Sequence, residues 1–153
     1  MSRVSIRAGK VADAIALAPR LRPEDALEVS LATGEDVEKS LLDSVRLSDE
    51  CFAGVLGGQV IALGGVTFIK GWGIPWLVAS PEALKFPITL VDAGRAAVAR
   101  WEKSCDVLFN YTHVDNVTHH KWLKHIGFTV VSEAVPYGAS QEPFFQFYRH
   151  SNV

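Results

Sequence analysis

The chain has 153 residues, of which 48% are hydrophobic and 21% charged, which is the composition of an ordinary globular protein. This length suits one domain, and we expect a single domain over 1–153. A net charge of -2 excludes the strongly basic surface that binds nucleic acid or an anionic membrane. No apolar run reaches the roughly 18 residues of a membrane span, and the first residues lack the apolar region of a signal peptide.

Hydrophobic periodicity predicts the secondary structure along the chain. Val4 and Ile6 alternate with polar residues, as in a strand, whereas Leu41 and Val45 repeat at helical spacing. Gly57-Gly58 is a two-residue hairpin signal between two apolar runs. From the N-terminus, the predicted elements are a strand at 3–7, helices at 11–20, 23–31 and 35–46, strands at 51–56, 60–69 and 74–79, a helix at 88–103, a strand at 106–114, a helix at 116–127, and strands at 128–135 and 143–149.

This order of elements predicts an α/β fold. An antiparallel front half that changes to strand–helix–strand is typical of a mixed, mostly antiparallel sheet with helices on both faces. We expect about six to seven strands with one parallel pair, because the helix at 88–103 can join 74–79 to 106–114 by a right-handed crossover. Pro75 lies near the start of its strand, as at an edge or bulge.

The two cysteines, Cys51 and Cys105, lie among apolar neighbours. This context favours small buried thiols over a disulfide or a nucleophile. Reduced thiols are typical of a cytosolic protein.

A short motif follows the strand at 106–114. Asn116 is placed to cap a helix, and Gly127-Phe128 is placed to end it with a left-handed glycine and a core aromatic ring. This spacing, together with the order of elements, resembles the GNAT (general N-acetyltransferase) superfamily. The resemblance implies a sheet whose parallel pair splays apart to admit acetyl-CoA.

A narrower resemblance covers about residues 45–149. The segments are similar to a family of short-tailed phage proteins, known as internal virion protein A or phage GNAT-like acetyltransferases. The similar residues are Pro75-Trp76-Leu77-Val78, Leu108-Phe109-Asn110-Tyr111, Asp115-Asn116, Trp122-Leu123-Lys124, Ile126-Gly127-Phe128, Phe144 and Phe147. The resemblance implies a phage or prophage origin, a location in the host cytoplasm or the virion, and virion or host proteins as partners.

The superfamily resemblance implies which residues would bind the cofactor. The free backbone of Leu77, Val78 and Ala79 would pair with the pantetheine arm as an added strand does. Pro75 can contribute to the splay, and the Asn116 amide can reach a ligand in the gap.

The turn that should bind the pyrophosphate departs from the superfamily pattern. Residues 80–87 contain no glycine, and Pro81 and Pro87 remove two N–H donors. The negative charge of Glu82 would repel a phosphate. Lys85 or Arg95 is therefore the candidate for a compensating positive charge.

The catalytic residues depart from the pattern as well. Leu123 stands where these enzymes often have a tyrosine that acts as the general acid. Tyr111, Tyr137 and His113 are the candidates to replace that tyrosine. His113 and Glu82 are candidates for the base. Each also has a structural interpretation, as a core ring, a hydrogen-bonded histidine or an acid at the start of a helix.

Two further patterns have structural interpretations. His119 and His120 are adjacent, and no histidine pair stands at i, i+4, so we expect no metal site. The aromatic residues of the last strand fit strand core or one edge of a homodimer sheet; they are Phe144, Phe145, Phe147 and Tyr148.

Two hypotheses about function follow. One is an acetyl-CoA-dependent N-acyltransferase with a degenerate pyrophosphate loop, acting on a protein or a small amine. The other is a non-catalytic protein on a GNAT scaffold that serves phage virion assembly or contacts a host protein.

Overall fold

The computed structural model describes residues 3–151. The strands are β1 (Val4–Ala8), β2 (Glu50–Leu56), β3 (Gln59–Ile69), β4 (Trp72–Ala79), β5 (Val107–His113), β6 (Thr129–Val130), β7 (Val135–Tyr137) and β8 (Glu142–His150). The helices are α1 (Val11–Leu17), α2 (Pro23–Thr33), α3 (Val37–Leu47), α4 (Pro87–Trp101) and α5 (Val117–Ile126), with short 3-10 turns at Ala18–Arg20, Pro81–Lys85 and Glu102–Ser104. Within this described range, none of the helices has the length and apolar character needed to cross a membrane.

One mixed sheet contains all eight strands. Its order is β1-β2-β3-β4-β5-β8-β6, with β7 also paired to β8. Every pair is antiparallel except β4 with β5, which confirms the predicted fold class. The sheet has more strands than predicted because the segment at 128–135 is not one strand: β6 ends at Val130 and β7 begins at Val135.

The parallel pair is very short. β4 and β5 pair only at Trp72 with Val107 and at Gly73 with Leu108. Beyond this point β5 stays paired with β8 and β4 stays paired with β3, so the two strands part on the side where both end. The parting begins at Pro75, whose carbonyl accepts a hydrogen bond from the Asn110 amide at 2.8 Å instead of from a strand backbone.

The helices cover the two faces of the sheet. On one face, Leu17 of α1 and Leu41 of α3 pack on Leu63 of β3 in a buried cluster. On the other face, Trp101 of α4 and Leu123 of α5 belong to a second cluster of buried residues. This arrangement confirms helices on both faces.

The structure corrects the bounds of one predicted helix and bears on two other local predictions. The helix predicted at 11–20 ends as an α-helix at Leu17, because a 3-10 turn containing Pro19 follows it. In the last strand, Phe144 and Phe147 are core residues that are 0% and 2% exposed, so these two rings do not form a dimer edge. Both cysteines are free, and burial raises the pKa of the Cys51 thiol to about 11.

The turn between β7 and β8 closes the C-terminal end of α2. Ala139 N–H donates to Ala32 O at 3.0 Å, and Ser140 N–H donates to Leu31 O at 3.0 Å. The turn therefore satisfies carbonyls that the end of a helix leaves without partners. Gly138 lies in this turn at φ 71, and a Cβ there would lie 2.6 Å from Ala32 O.

We predict that Gly138→Ala destabilises the fold more than Gly58→Ala. Both glycines have positive φ, but nothing lies within 4 Å of a Cβ at Gly58. Gly58→Ala should cost about 1 kcal/mol for the left-handed backbone. Gly138→Ala should cost about 1–3 kcal/mol more for the clash with α2. Urea unfolding of the two variants measures the difference, and equal costs would show that the turn does not press on α2.

Candidate functional site

The gap between the diverging ends of β4 and β5 is the candidate site, and the start of α2 lies against it. Ala79 ends β4, and its N–H donates to the Asp25 Oδ2 atom at 2.9 Å. The Ala79 carbonyl accepts from the Arg22 backbone N–H at 2.8 Å. Both backbone groups of this strand end therefore have partners supplied by α2 and the residue before it.

Buried polar side chains continue from this contact across the gap. The Arg22 guanidinium donates to Asp25 Oδ1 at 3.0 Å and to Asn116 Oδ1 at 3.2 Å. Asn116 in turn donates from Nδ2 to Asp25 Oδ1 at 2.9 Å and to Glu28 Oε1 at 3.2 Å. Arg22, Asp25 and Asn116 are only 2%, 2% and 1% exposed. We call Arg22, Asp25, Glu28, Asn116 and His119 the slot network.

The slot network reaches β5 through Glu28. Its Oε1 atom accepts from the His113 backbone N–H at 2.7 Å and from the Thr112 hydroxyl at 2.8 Å. Its Oε2 atom lies 3.6 Å from Nδ1 of His119. One carboxylate thus occupies the inner side of β5 where the strand has left β4.

Glu28 and His119 stabilise each other's charged form. Burial alone would raise the pKa of the Glu28 carboxyl, but contact with His119 and the bonds from His113 and Thr112 outweigh it and hold the pKa below 4.5. Burial alone would lower the pKa of His119, but the Glu28 carboxylate outweighs it and raises the pKa above 6.5. Both shifts run in the direction that favours the ion pair of the Glu28 carboxylate with the protonated His119 ring.

Two voids remain beside the slot network. A cleft of about 190 Å³ lies toward α2 and α3, and an apolar void of about 40 Å³ lies toward α4 and α5. Both voids are lined by Pro75, Leu77 and His119. The two voids therefore adjoin each other at the gap between β4 and β5. Sites for small molecules and cofactors usually measure about 300–1,000 Å³, so each void is small for a cofactor arm.

The residues present do not fit a pantetheine arm. Backbone groups of a strand alternate in direction, so Pro75, Leu77 and Ala79 are the β4 residues that face the gap. Pro75 has no N–H and its carbonyl is bonded, while Ala79 has both groups bonded. Leu77 alone remains to pair with a ligand.

Of the other predicted cofactor residues, Val78 lines the cleft beside Leu77 and Asn116 lies in the slot network, whereas Lys85 does not line the cleft. The Val78 side chain is buried in the core beneath α1 and α3, and Lys85 is exposed at the end of a 3-10 turn. Asn116 stands at the helix start as predicted, but its side chain makes no capping bond to α5. It turns inward instead, because Arg22, Asp25 and Glu28 offer buried partners for both ends of the amide.

The turn after β4 does not form a cradle of free amides. Ala83 N–H donates to Ser80 O at 3.1 Å, and Phe86 N–H donates to Ala83 O at 3.0 Å. Pro87 then begins α4 without a donor. A phosphate at this point would therefore meet few backbone N–H groups.

The predicted catalytic residues are not brought together. Tyr111 lines the cleft, where its ring stacks on Tyr137 with centroids 4.1 Å apart. His113 is buried edge-on to Phe144, and it does not line the cleft. Glu82 lies in the 3-10 turn, where the Ser80 hydroxyl and the Glu82 amide hold the pKa of its carboxyl below 4.5. A base of that pKa is weak near neutral pH.

Sequence reasoning missed the residues that fill the slot. Asp25 has the pattern of an acid in the first turn of a helix, and Glu28 that of a surface acid in α2. The available signal is the sparse apolar stripe of α2, which leaves polar residues to face the sheet. Only the fold reveals that their partners lie on β4, β5 and α5.

We predict that Asp25→Ala costs about 3–5 kcal/mol of stability, because it removes the carboxylate that pairs with the buried Arg22 guanidinium and leaves the Ala79 N–H without an acceptor. Lys39→Ala is the control. It removes an exposed lysine that pairs with Glu35 and Asp43, and it should change stability little. Urea unfolding tests both variants, and a cost for Asp25→Ala no larger than the control would contradict a stabilising slot network.

We also predict that the stability of the fold depends on pH. His119→Gln should remove the loss of stability that occurs on the alkaline side. The folded pKa of His119 is raised, so its contribution is fully present below pH 6.5 and is lost as the pH rises through the folded pKa. The folded pKa of Glu28 is lowered, so its contribution is present above pH 4.5 and is lost as the pH falls through the folded pKa. Each unit of separation contributes about 1.4 kcal/mol.

Urea unfolding of the protein and of His119→Gln, from about pH 4 to about pH 10, measures this dependence. The alkaline loss of stability should shrink in the variant. An unchanged loss would show that another group titrates there.

Comparison with known proteins gives a result from structure alone. The sequence matches no protein-family model and no curated protein. An N-acetyltransferase from Staphylococcus aureus Mu50 is similar with a TM-score of 0.71 at 14% identity, over 98% of this chain and 99% of that chain. An acetyltransferase of the GNAT family from Streptococcus pneumoniae has a TM-score of 0.63 at 13% identity, over 98% of this chain and 100% of that chain.

A third similar structure contains a cofactor. A GNAT superfamily phosphinothricin acetyltransferase from Sinorhizobium meliloti, in complex with AcCoA, has a TM-score of 0.65 at 13% identity, over 97% of this chain and 89% of that chain. Identities this low relate folds rather than activities. With its mostly antiparallel sheet and single parallel pair, the chain has the fold of the GNAT acetyltransferases.

Proposed function

We propose that this chain is a non-catalytic protein on a GNAT scaffold, which acts by contact with other proteins and does not transfer acyl groups from acetyl-CoA. One observation carries the proposal. Ala79 is the last residue of β4, the strand that would pair with the cofactor. Its N–H and carbonyl groups are already bonded to Asp25 and Arg22.

The energy needed to open the slot supports this proposal. Admitting a cofactor arm would separate Asp25 from the Ala79 N–H and Asn116 from Arg22, and each buried hydrogen bond to a charged group contributes about 1.5–3 kcal/mol. Every 1.4 kcal/mol weakens binding about tenfold, so losing both bonds lowers the affinity by a factor of about 100 to about 10,000. The turn at Ser80–Phe86 offers few free amides to recover that loss.

The kind of partner rests on the phage resemblance. Similarity to the internal virion protein A family supports virion or host proteins as the partners. It also supports a location in the host cytoplasm or the virion.

An N-acyltransferase acting on a protein or a small amine is the second candidate. It is favoured by the parting of β4 and β5 after two residue pairs and by the acetyltransferases among the similar folds. Tyr111 is then the residue placed to act on a substrate, since it lines the cleft. This candidate requires the slot network to open.

We predict that millimolar acetyl-CoA leaves the melting temperature unchanged. A ligand at about 100 times its Kd adds about 2.7 kcal/mol, which raises the melting temperature of a domain this size by roughly 5 °C or more. An acetyl-CoA-binding GNAT enzyme measured alongside is the positive control. A rise of that size in this chain would overturn the proposal.

Thiol release from acetyl-CoA in the presence of amines tests the second candidate separately. A rate that falls in Tyr111→Phe would establish the acyltransferase, whereas no release at millimolar cofactor agrees with the closed slot.

A further inference from the structure

The cleft beside the slot network continues into a groove that opens at the surface. The groove has a volume of about 480 Å³ and runs between α3 and the strands β3 and β4. Leu47 and Ile69, which are 71% and 50% exposed, line the groove. The residues that line both the groove and the cleft are Thr33, Ser40, Ser44, Trp76 and Asn110. An extended chain lying in the groove can therefore place one side chain in the cleft.

The cleft has the size of one long side chain. Its volume of about 190 Å³ equals that of roughly six water molecules at about 30 Å³ each, which is close to the space that an arginine side chain fills. Much of its lining is apolar or aromatic, and Val29, Leu41, Tyr111 and Tyr137 are examples. The two tyrosine rings stack with an interplanar angle of 21°.

Glu28 lines this cleft with one carboxylate oxygen that has no hydrogen bond. Its Oε1 atom already accepts from Thr112, His113 and Asn116. Its Oε2 atom lies 3.6 Å from Nδ1 of His119, which is too long for a hydrogen bond, and accepts none within residues 3–151. A cationic ligand can therefore bond to Oε2 and replace the protonated His119 ring as the opposite charge.

The helices that form one wall of the groove are acidic. Residues 23–49, from the start of α2 to the end of the loop before β2, hold eight Asp or Glu and two Lys or Arg, a net charge of -6 in a chain whose total is -2. Glu35 and Asp43 line the groove itself, and they share the single cation Lys39. A surface with this excess of negative charge attracts positively charged partners.

We propose that the cleft binds the guanidinium of an arginine carried by a basic segment of a partner protein, while the segment lies in the groove. The inference rests on the proposed function, because it names the chemistry of the protein that this chain contacts. A guanidinium is planar and weakly hydrated and it stacks on aromatic rings, so it suits a cleft with two tyrosines and one free carboxylate oxygen. The ammonium of lysine is strongly hydrated and loses more on entering such a lining.

Capped peptides that carry one arginine, lysine or citrulline between alanines test the proposal by NMR titration at low salt. The arginine peptide should saturate with a Kd below about 1 mM. The lysine peptide should bind at least about fivefold more weakly, and citrulline, which keeps the shape of arginine without its charge, should not saturate. An arginine peptide that does not saturate, or a lysine or citrulline peptide that binds as tightly, overturns the proposal.

Variants of the cleft locate the binding. Glu28→Gln should weaken arginine binding about tenfold or more, because it removes the charge that accepts from the guanidinium. Glu38→Gln is the matched control, because it removes the same charge from an exposed position of α3 outside the cleft and the groove. Tyr137→Leu should weaken binding about two- to fivefold, and it replaces Glu28→Gln as the test if that variant does not fold. Unchanged affinity in the cleft variants that fold places the peptide elsewhere and overturns the proposal.

The titration contains no acetyl-CoA, and the arginine peptide has no free amine to acylate. Peptide binding is therefore measured separately from cofactor binding. If the peptide does not bind and acetyl-CoA leaves the melting temperature unchanged, only the arginine site is wrong. If acetyl-CoA raises the melting temperature, the proposed function is overturned whatever the peptide does.

Discussion

The backbone of Ala79 is the constraint on which the candidate site depends. β4 loses β5 as a neighbour after Gly73, so the N–H and carbonyl groups at its far end face a gap inside the protein. Buried backbone groups need partners, and the loss of one costs free energy comparable to a hydrogen bond. A GNAT enzyme can satisfy such groups with its cofactor. Here the Asp25 side chain and the Arg22 backbone satisfy them.

Charge balance makes this arrangement stable in a buried position. Arg22 pairs with Asp25, and His119 pairs with Glu28 when its ring is protonated, so that positive and negative charges are then equal in number. The Asn116 amide joins the two pairs by donating to both carboxylates. Each charge therefore has an opposite charge and hydrogen-bond partners, which is the condition under which buried ions are tolerated. The same balance opposes the removal or displacement of any one member.

The predictable part of the fold is the part that local patterns encode. Alternating apolar residues located most of the strands, and Gly57-Gly58 gave the correct hairpin between β2 and β3. The break at 131–134 was missed because the run still looks like part of a strand, although it leaves the sheet between β6 and β7. The slot network was missed for a different reason. Asn116 and Asp25 are 91 residues apart, and local spacing carries no information about such a contact.

The GNAT fold by itself therefore does not decide whether a cofactor binds. Its sheet opens between two parallel strands, and the opening must be filled either by a ligand or by the chain's own side chains. In this structure Arg22 and Asp25, at the start of α2, bond to the end of β4. Similar overall folds at 12–14% identity can differ at these positions without any change in the sheet. The contacts of Ala79 consequently bear on function more directly than the similarity of the fold does.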